Sequence, residues 1–133
     1  MKPEPQRAVW SRTYAVSTWA LIVYFGLMAV IHVVLSLSYL LGLWETGVGY
    51  FLDYDWPAWL IALLDGSAAL LLWIGYRRGV RSPWLGLSLT LAASVIMIGR
   101  ALWFVIIPLL VALTIVGSLR RLIMAYGAEP TRV

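Results

Sequence analysis

Cysteine is absent from the 133 residues, histidine occurs once, and charged side chains make up only 12% of the chain. Without cysteine there is no disulfide framework to build a secreted scaffold on. So little charge excludes both a disordered chain and a basic nucleic-acid-binding arm, and no nucleic-acid partner is expected. One histidine, His32, cannot assemble a metal site alone, and the six acidic residues lie apart from one another. The chain carries no GxSxG, no P-loop and no HExxH. No internal repeat and no low-complexity tract is visible.

What is present is apolar. Hydrophobic residues make up 62% and the mean hydropathy is +0.89, against roughly 45–50% apolar and about 25% charged in an ordinary soluble domain. The composition is that of an integral membrane protein. A membrane-crossing helix takes about 20 residues, so four crossings use most of the chain and leave no room for a soluble catalytic domain.

Between Arg12 and Glu45 there is no Asp, Glu, Lys or Arg. That run is too long for a signal-peptide core and predicts a first helix over about 14–43. Residues 45–55 mix Gly47, Gly49, Asp53 and Asp55 with Tyr50, Phe51 and Tyr54, which suggests a short loop lying at the headgroup level. Pro57 suits the first turn of a second helix, over 57–76. Arg77, Arg78 and Gly79 end it, and Arg81, Ser82 and Pro83 turn the chain. Between Trp84 and Leu119 the only charge is Arg100. One helix of that length would overshoot the bilayer, so a hairpin with its turn in 99–103 is expected, giving helices over 84–98 and 104–126. The fold class is therefore all-α: a single transmembrane domain forming a four-helix bundle.

Charge sets the expected orientation. Of the ten basic residues, all but Arg100 fall in three groups: Lys2, Arg7 and Arg12; Arg77, Arg78 and Arg81; Arg120, Arg121 and Arg132. Glu45, Asp53 and Asp55 fall in the first loop. The positive-inside rule then places both termini and the middle turn in the cytoplasm, in the cell membrane. Trp10, Trp44, Trp56, Trp59, Trp84 and Trp103 fall near span ends, as an interfacial belt does, with Trp19 and Trp73 further in.

Polar residues inside the spans carry the remaining signal, because each costs roughly 2.5–3.5 kcal/mol at a helix centre. Asp65 in helix two, His32 in helix one and Arg100 at the turn between helices three and four can reach a common depth. An Asp65–Arg100 or Asp65–His32 contact would satisfy the carboxylate, and protonation by desolvation is the other route. Two small-residue ridges, Ser82, Gly86, Thr90 and Ser94 on helix three and Ala58, Ala62 and Gly66 on helix two, allow close helix approach. They are expected to pack together with Asp65 nearby.

The stretch from Pro57 to Leu91 resembles the second and third helices of the DoxX family of small four-helix membrane proteins. The likeness rests on Asp65 in an apolar helix, Leu70–Leu72, Gly75, and the basic turn at Arg77 and Arg78, over about a quarter of the chain. The family usually carries Glu where Asp65 stands. The resemblance implies an accessory subunit of a quinone-linked oxidoreductase or an oxidative-stress complex.

The expectation from residues and resemblance together is a non-catalytic accessory or structural subunit of a larger membrane complex. Its partners would be the lipid bilayer and other membrane subunits or copies of itself. No enzymatic activity and no cofactor are expected. The alternatives are a small homo-oligomeric proton or ion transporter using Asp65, with His32 and Arg100 beside the path, and a quinone- or haem-binding redox subunit.

Overall fold

The structure is a computed structural model that describes residues 5–43, 48–51, 54–100 and 105–127. Four helices run antiparallel in chain order: α1 Pro5–Leu40, α2 Ala58–Arg78, α3 Pro83–Arg100 and α4 Ile106–Gly127. Each is long and apolar enough to cross a membrane. A two-stranded hairpin, β1 Val48–Phe51 paired with β2 Tyr54–Pro57, links α1 to α2. The bundle thus has a hairpin end and an opposite end, called here the terminal end, which holds the start of α1, the α2–α3 turn and the last turn of α4.

Element boundaries differ from the sequence expectation for identifiable reasons. α1 starts at Pro5 instead of near residue 14, and at 36 residues it is about 54 Å long. It stops at Leu40, short of residue 43. Gly42 sits at φ 77, with Gly42 N–H donating to Tyr39 O and Leu43 N–H to Ser38 O. That pair of bonds is a Schellman termination, which needs the left-handed backbone that glycine adopts most cheaply. The expected surface loop contains the β-hairpin, in which Val48 pairs with Pro57 and Tyr50 with Asp55. Its β-branched and aromatic residues favour extended backbone. Pro57 ends β2 and precedes α2 at φ −56, ψ 140, so α2 begins one residue later than expected and runs two residues further. α3 also extends through Gly99 and Arg100, two positions of the expected turn; 101–103 lie outside the described residues. Pro108 falls in the first turn of α4, where a missing N–H costs nothing.

None of the helices sorts its faces by simple amphipathicity, because nearly every side chain is apolar. Size and polarity sort them instead. α2 buries Ala58, Ala62, Asp65, Ala68, Ala69 and Gly75 while Trp59, Leu63, Leu70 and Trp73 point outward. α3 buries Gly86, Thr90, Ala93 and Ser94 and exposes Trp84, Leu85, Leu91 and Val95. Small and hydroxyl residues let helices approach where hydrocarbon gives no hydrophobic drive between them. The large apolar groups left outside form a surface suited to lipid.

The two small-residue ridges do not meet each other as expected. Gly66 faces Ala29 of α1, 3.8 Å from a Cβ built on the glycine, and Ala62 lines a groove with Val33, Ser36 and Leu37 of α1, so these two residues of the ridge belong to the α1–α2 contact. Gly86 instead packs on Gly75 of α2 and on Gly79, which caps that helix: a Cβ on Gly86 would lie 2.7 Å from Gly79 Cα and 2.9 Å from Gly75 O. Ser82 is exposed at the turn. A methyl at 86 therefore has nowhere to go without moving backbone.

Gly86→Ala is expected to force α2 and α3 apart and cost about 1–3 kcal/mol. Gly26→Ala, with open space around the new methyl, is expected to be neutral or slightly stabilising. Thermal unfolding of the two variants in one detergent separates them; equal midpoints would contradict the close α2–α3 contact.

Candidate functional site

Asp65 lies in the third turn of α2 and is 0% exposed. Arg100 is the last residue of α3. Because α2 ends at Arg78 and α3 begins at Pro83, the antiparallel hairpin brings Asp65 and Arg100 to within about one helical turn of the same depth. That register delivers the guanidinium to the carboxylate. Arg100 Nε donates to Asp65 Oδ1 at 2.7 Å, and Nη2 donates to Oδ2 at 3.0 Å. The bond is bidentate, the fork-to-fork geometry that only arginine offers a carboxylate.

His32 completes the group from α1. Its Nδ1 is 2.8 Å from Met28 O, one turn back on the same helix. A carbonyl can only accept, so the hydrogen sits on Nδ1. The same nitrogen is 3.8 Å from Asp65 Oδ2, beyond hydrogen-bond distance but close enough to turn a positive ring edge toward the carboxylate. The three residues singled out in the sequence thus converge on one point, with three helices contributing one side chain each.

A second polar layer, toward the terminal end, escaped the sequence reading. The Tyr14 hydroxyl of α1 lies 3.2 Å from Ser118 Oγ of α4, and Ser118 Oγ donates to Thr90 Oγ1 of α3 at 3.2 Å. With that proton committed, Tyr14 is the donor to Ser118. Arg121 of α4 donates through Nη1 to Tyr76 O of α2 at 2.9 Å. Its guanidinium also lies over the Tyr14 and Tyr76 rings, 4.9 and 5.3 Å from their centroids, and those rings meet edge to face at 5.2 Å. All four helices join in this layer. The available signal was the spacing of Thr114, Ser118 and Arg121 along one face of α4, three and four residues apart. In the sequence Arg121 reads only as a topological charge.

Between the two polar layers lies an apolar plug. Leu21, Phe25, Leu72, Met97 and Val111 form one cluster, and none is more than 1% exposed. At the hairpin end, α1 and α2 flank an open groove of about 360 Å³ lined by Val33, Ser36, Leu37, Trp59, Ala62 and Leu63. Its walls are apolar apart from Ser36. Among the described residues no three His, Cys, Asp or Glu side chains gather as a metal site would need. Of the tryptophans, Trp56, Trp59 and Trp84 are exposed near helix ends, and Trp19 and Trp73 also reach the surface. Trp44 and Trp103 lie outside the described residues.

Comparison of the chain with family models, with curated proteins and with solved structures found no match.

The ion pair makes a sharp stability prediction. Asp65→Leu leaves Arg100 buried without its carboxylate and is expected to cost about 3–5 kcal/mol. Asp65→Leu combined with Arg100→Leu is expected to recover most of that loss, since a matched apolar pair leaves no buried charge. Unfolding of both variants in detergent tests it: a double variant as unstable as the single one would show that the loss does not come from a stranded charge.

Proposed function

We propose that this chain is a small non-catalytic membrane subunit, built to hold a fixed shape within a larger membrane assembly. The observation that carries the reading is the state of Asp65. A carboxylate that moves protons or ions needs access to water and a second polar station. This one is fully buried, held by two guanidinium nitrogens of Arg100, Nε and Nη2, and cut off from the Tyr14–Thr90–Ser118 layer by the apolar plug. The arrangement is that of an interhelical lock.

The outside of the molecule supports the same reading. On the hairpin half of α1, Val30, Ile31, Val33, Val34, Leu37 and Leu40 are all exposed, so a broad apolar face of the longest helix is left uncovered by the described residues. Such a surface serves lipid and the helices of a neighbouring subunit equally well. The likeness of Pro57 to Leu91 to the DoxX family points toward an accessory subunit of a redox-linked complex. We place the termini and the α2–α3 turn in the cytoplasm of a cell membrane, on the arginine distribution.

Gentle extraction from native membranes, followed by mass spectrometry of the chains that co-purify, tests the subunit role. A defined set of membrane partners in stable ratio is expected, whereas recovery of this chain alone in every mild detergent would overturn it. Asp65→Asn is the companion test. It keeps the shape and one acceptor oxygen, so assembly is expected to survive largely intact. Loss of proton or ion flux in vesicles with assembly unchanged would instead make the chain a transporter.

A further inference from the structure

The terminal end of the bundle gathers Arg12, Arg77, Arg78, Arg81, Arg120 and Arg121, while the described carboxylates, Asp55 and Asp65, lie in the other half. Arg77, Arg78 and Arg81 are the three exposed at the α2–α3 turn. All six of these charges are arginine; the chain has a single lysine, Lys2. A positive charge placed only to set topology could be either residue. A guanidinium differs in presenting a planar fork that matches phosphate oxygens two at a time.

The arginines are also arranged. Arg121 is occupied by Tyr76 O and the two tyrosine rings, and its Nη1 lies 2.8 Å from where a Cβ on Gly79 would sit. It clamps the end of α4 against the α2–α3 turn. The turn is closed by Arg81 N–H and Ser82 N–H donating to Arg78 O, and Arg77, Arg78 and Arg81 are exposed around it. Arg77 does not simply extend into solvent, because its guanidinium lies 5.5 Å from the ring centroid of Trp73. Trp73 is one turn nearer the bundle centre and 38% exposed, and Val80, between the arginines, is 71% exposed. An indole and a valine interleaved with guanidinium groups suit the boundary between headgroups and hydrocarbon better than bulk water.

We propose that Arg77, Arg78 and Arg81 form a binding surface for the phosphodiester headgroup of an anionic membrane lipid, with Trp73 packing beside its glycerol and first acyl carbons. This requires only that the terminal end sit at a membrane surface, and it stands apart from the subunit role. The surface would prefer anionic over zwitterionic lipid, because three exposed guanidinium groups lie within five residues of one another around the turn.

The test uses the purified full-length protein in phosphatidylcholine nanodiscs, with and without phosphatidylglycerol, and native mass spectrometry of the lipid retained on release. Selective retention of phosphatidylglycerol is expected. The triple variant R77Q/R78Q/R81Q should bind it on the order of a hundredfold more weakly, and Arg77→Gln alone about fivefold, as expected per basic residue at an anionic surface. Circular dichroism in phosphatidylcholine discs checks that each variant is folded, and the single variant carries the test if the triple one is not. R77K/R78K/R81K should retain part of the binding. Equal retention by wild type and Arg77→Gln, or no preference over phosphatidylcholine, would overturn the proposal. Stabilisation by soluble glycerol 3-phosphate equal to that by the lipid would overturn it too, in favour of a site for free phosphate.

Discussion

The Asp65–Arg100 pair is the interaction on which the rest of the arrangement depends. Neither charge is tolerable alone in an apolar interior, and the energetic cost of separating them exceeds that of most single contacts in the bundle. A bidentate bond also fixes direction and distance, which apolar packing between similar side chains does not. It pins the hairpin-end half of α2 to the last turn of α3. At the other end of the same two helices, Gly86 lies against Gly75 and Gly79 with no space for a methyl. One helix pair is thus registered at both ends, by charge at one and by backbone contact at the other.

The second polar layer fixes what that pair cannot. α4 makes no contribution to the ion pair among the described residues, yet Ser118 and Arg121 tie it to α1, α2 and α3 through Tyr14, Tyr76 and Thr90. The hydrogen bonds are individually modest, about 0.6 kcal/mol on average for such contacts in a membrane protein. Their value lies in specifying which face of α4 turns inward, since its apolar residues alone give little preference. Between the layers, Phe25, Leu72, Met97 and Val111 supply the dispersion contacts and separate the two polar groups from each other. The result is two polar layers with an apolar spacer, an arrangement suited to rigidity.

α1 stands apart from the other three helices in its length and in how much of it remains exposed. Its terminal half is bound into the core through Tyr14, Thr18, Leu21 and Phe25, and His32 still reaches the ion pair. Beyond His32 it is mostly uncovered. The β-hairpin that follows returns the chain to the start of α2, and Gly42 makes that reversal possible by ending the helix sharply. This exposed apolar face presents a surface to the surroundings, and the groove that α1 shares with α2 beside Trp59 lies along it.

Much of this was decided by the sequence alone. Hydropathy and the lack of charge between Arg12 and Glu45 specify long apolar helices, and Ser82 with Pro83 specifies the α2–α3 turn. The convergence of Asp65, His32 and Arg100 at one depth was legible as a candidate, but the sequence left Arg100, His32 or a proton open as the partner of the carboxylate, and the bidentate bond to Arg100 is a tertiary choice. The helix ends were less legible. Gly42 and Pro108 both mark boundaries, but a glycine or a proline in an apolar run acquires its meaning only from the hydrogen bonds around it. What only the tertiary structure decided is which faces meet. Every helix is apolar all round, so no periodicity distinguishes inside from outside, and size, hydroxyl pairing and close backbone contact make the choice. Gly66 went to α1 and Gly86 to Gly79 for that reason. Arg121 reads in the sequence as one more charge at a helix end, and only the approach of Tyr14 and Tyr76 from two other helices turns it into a half-buried clamp.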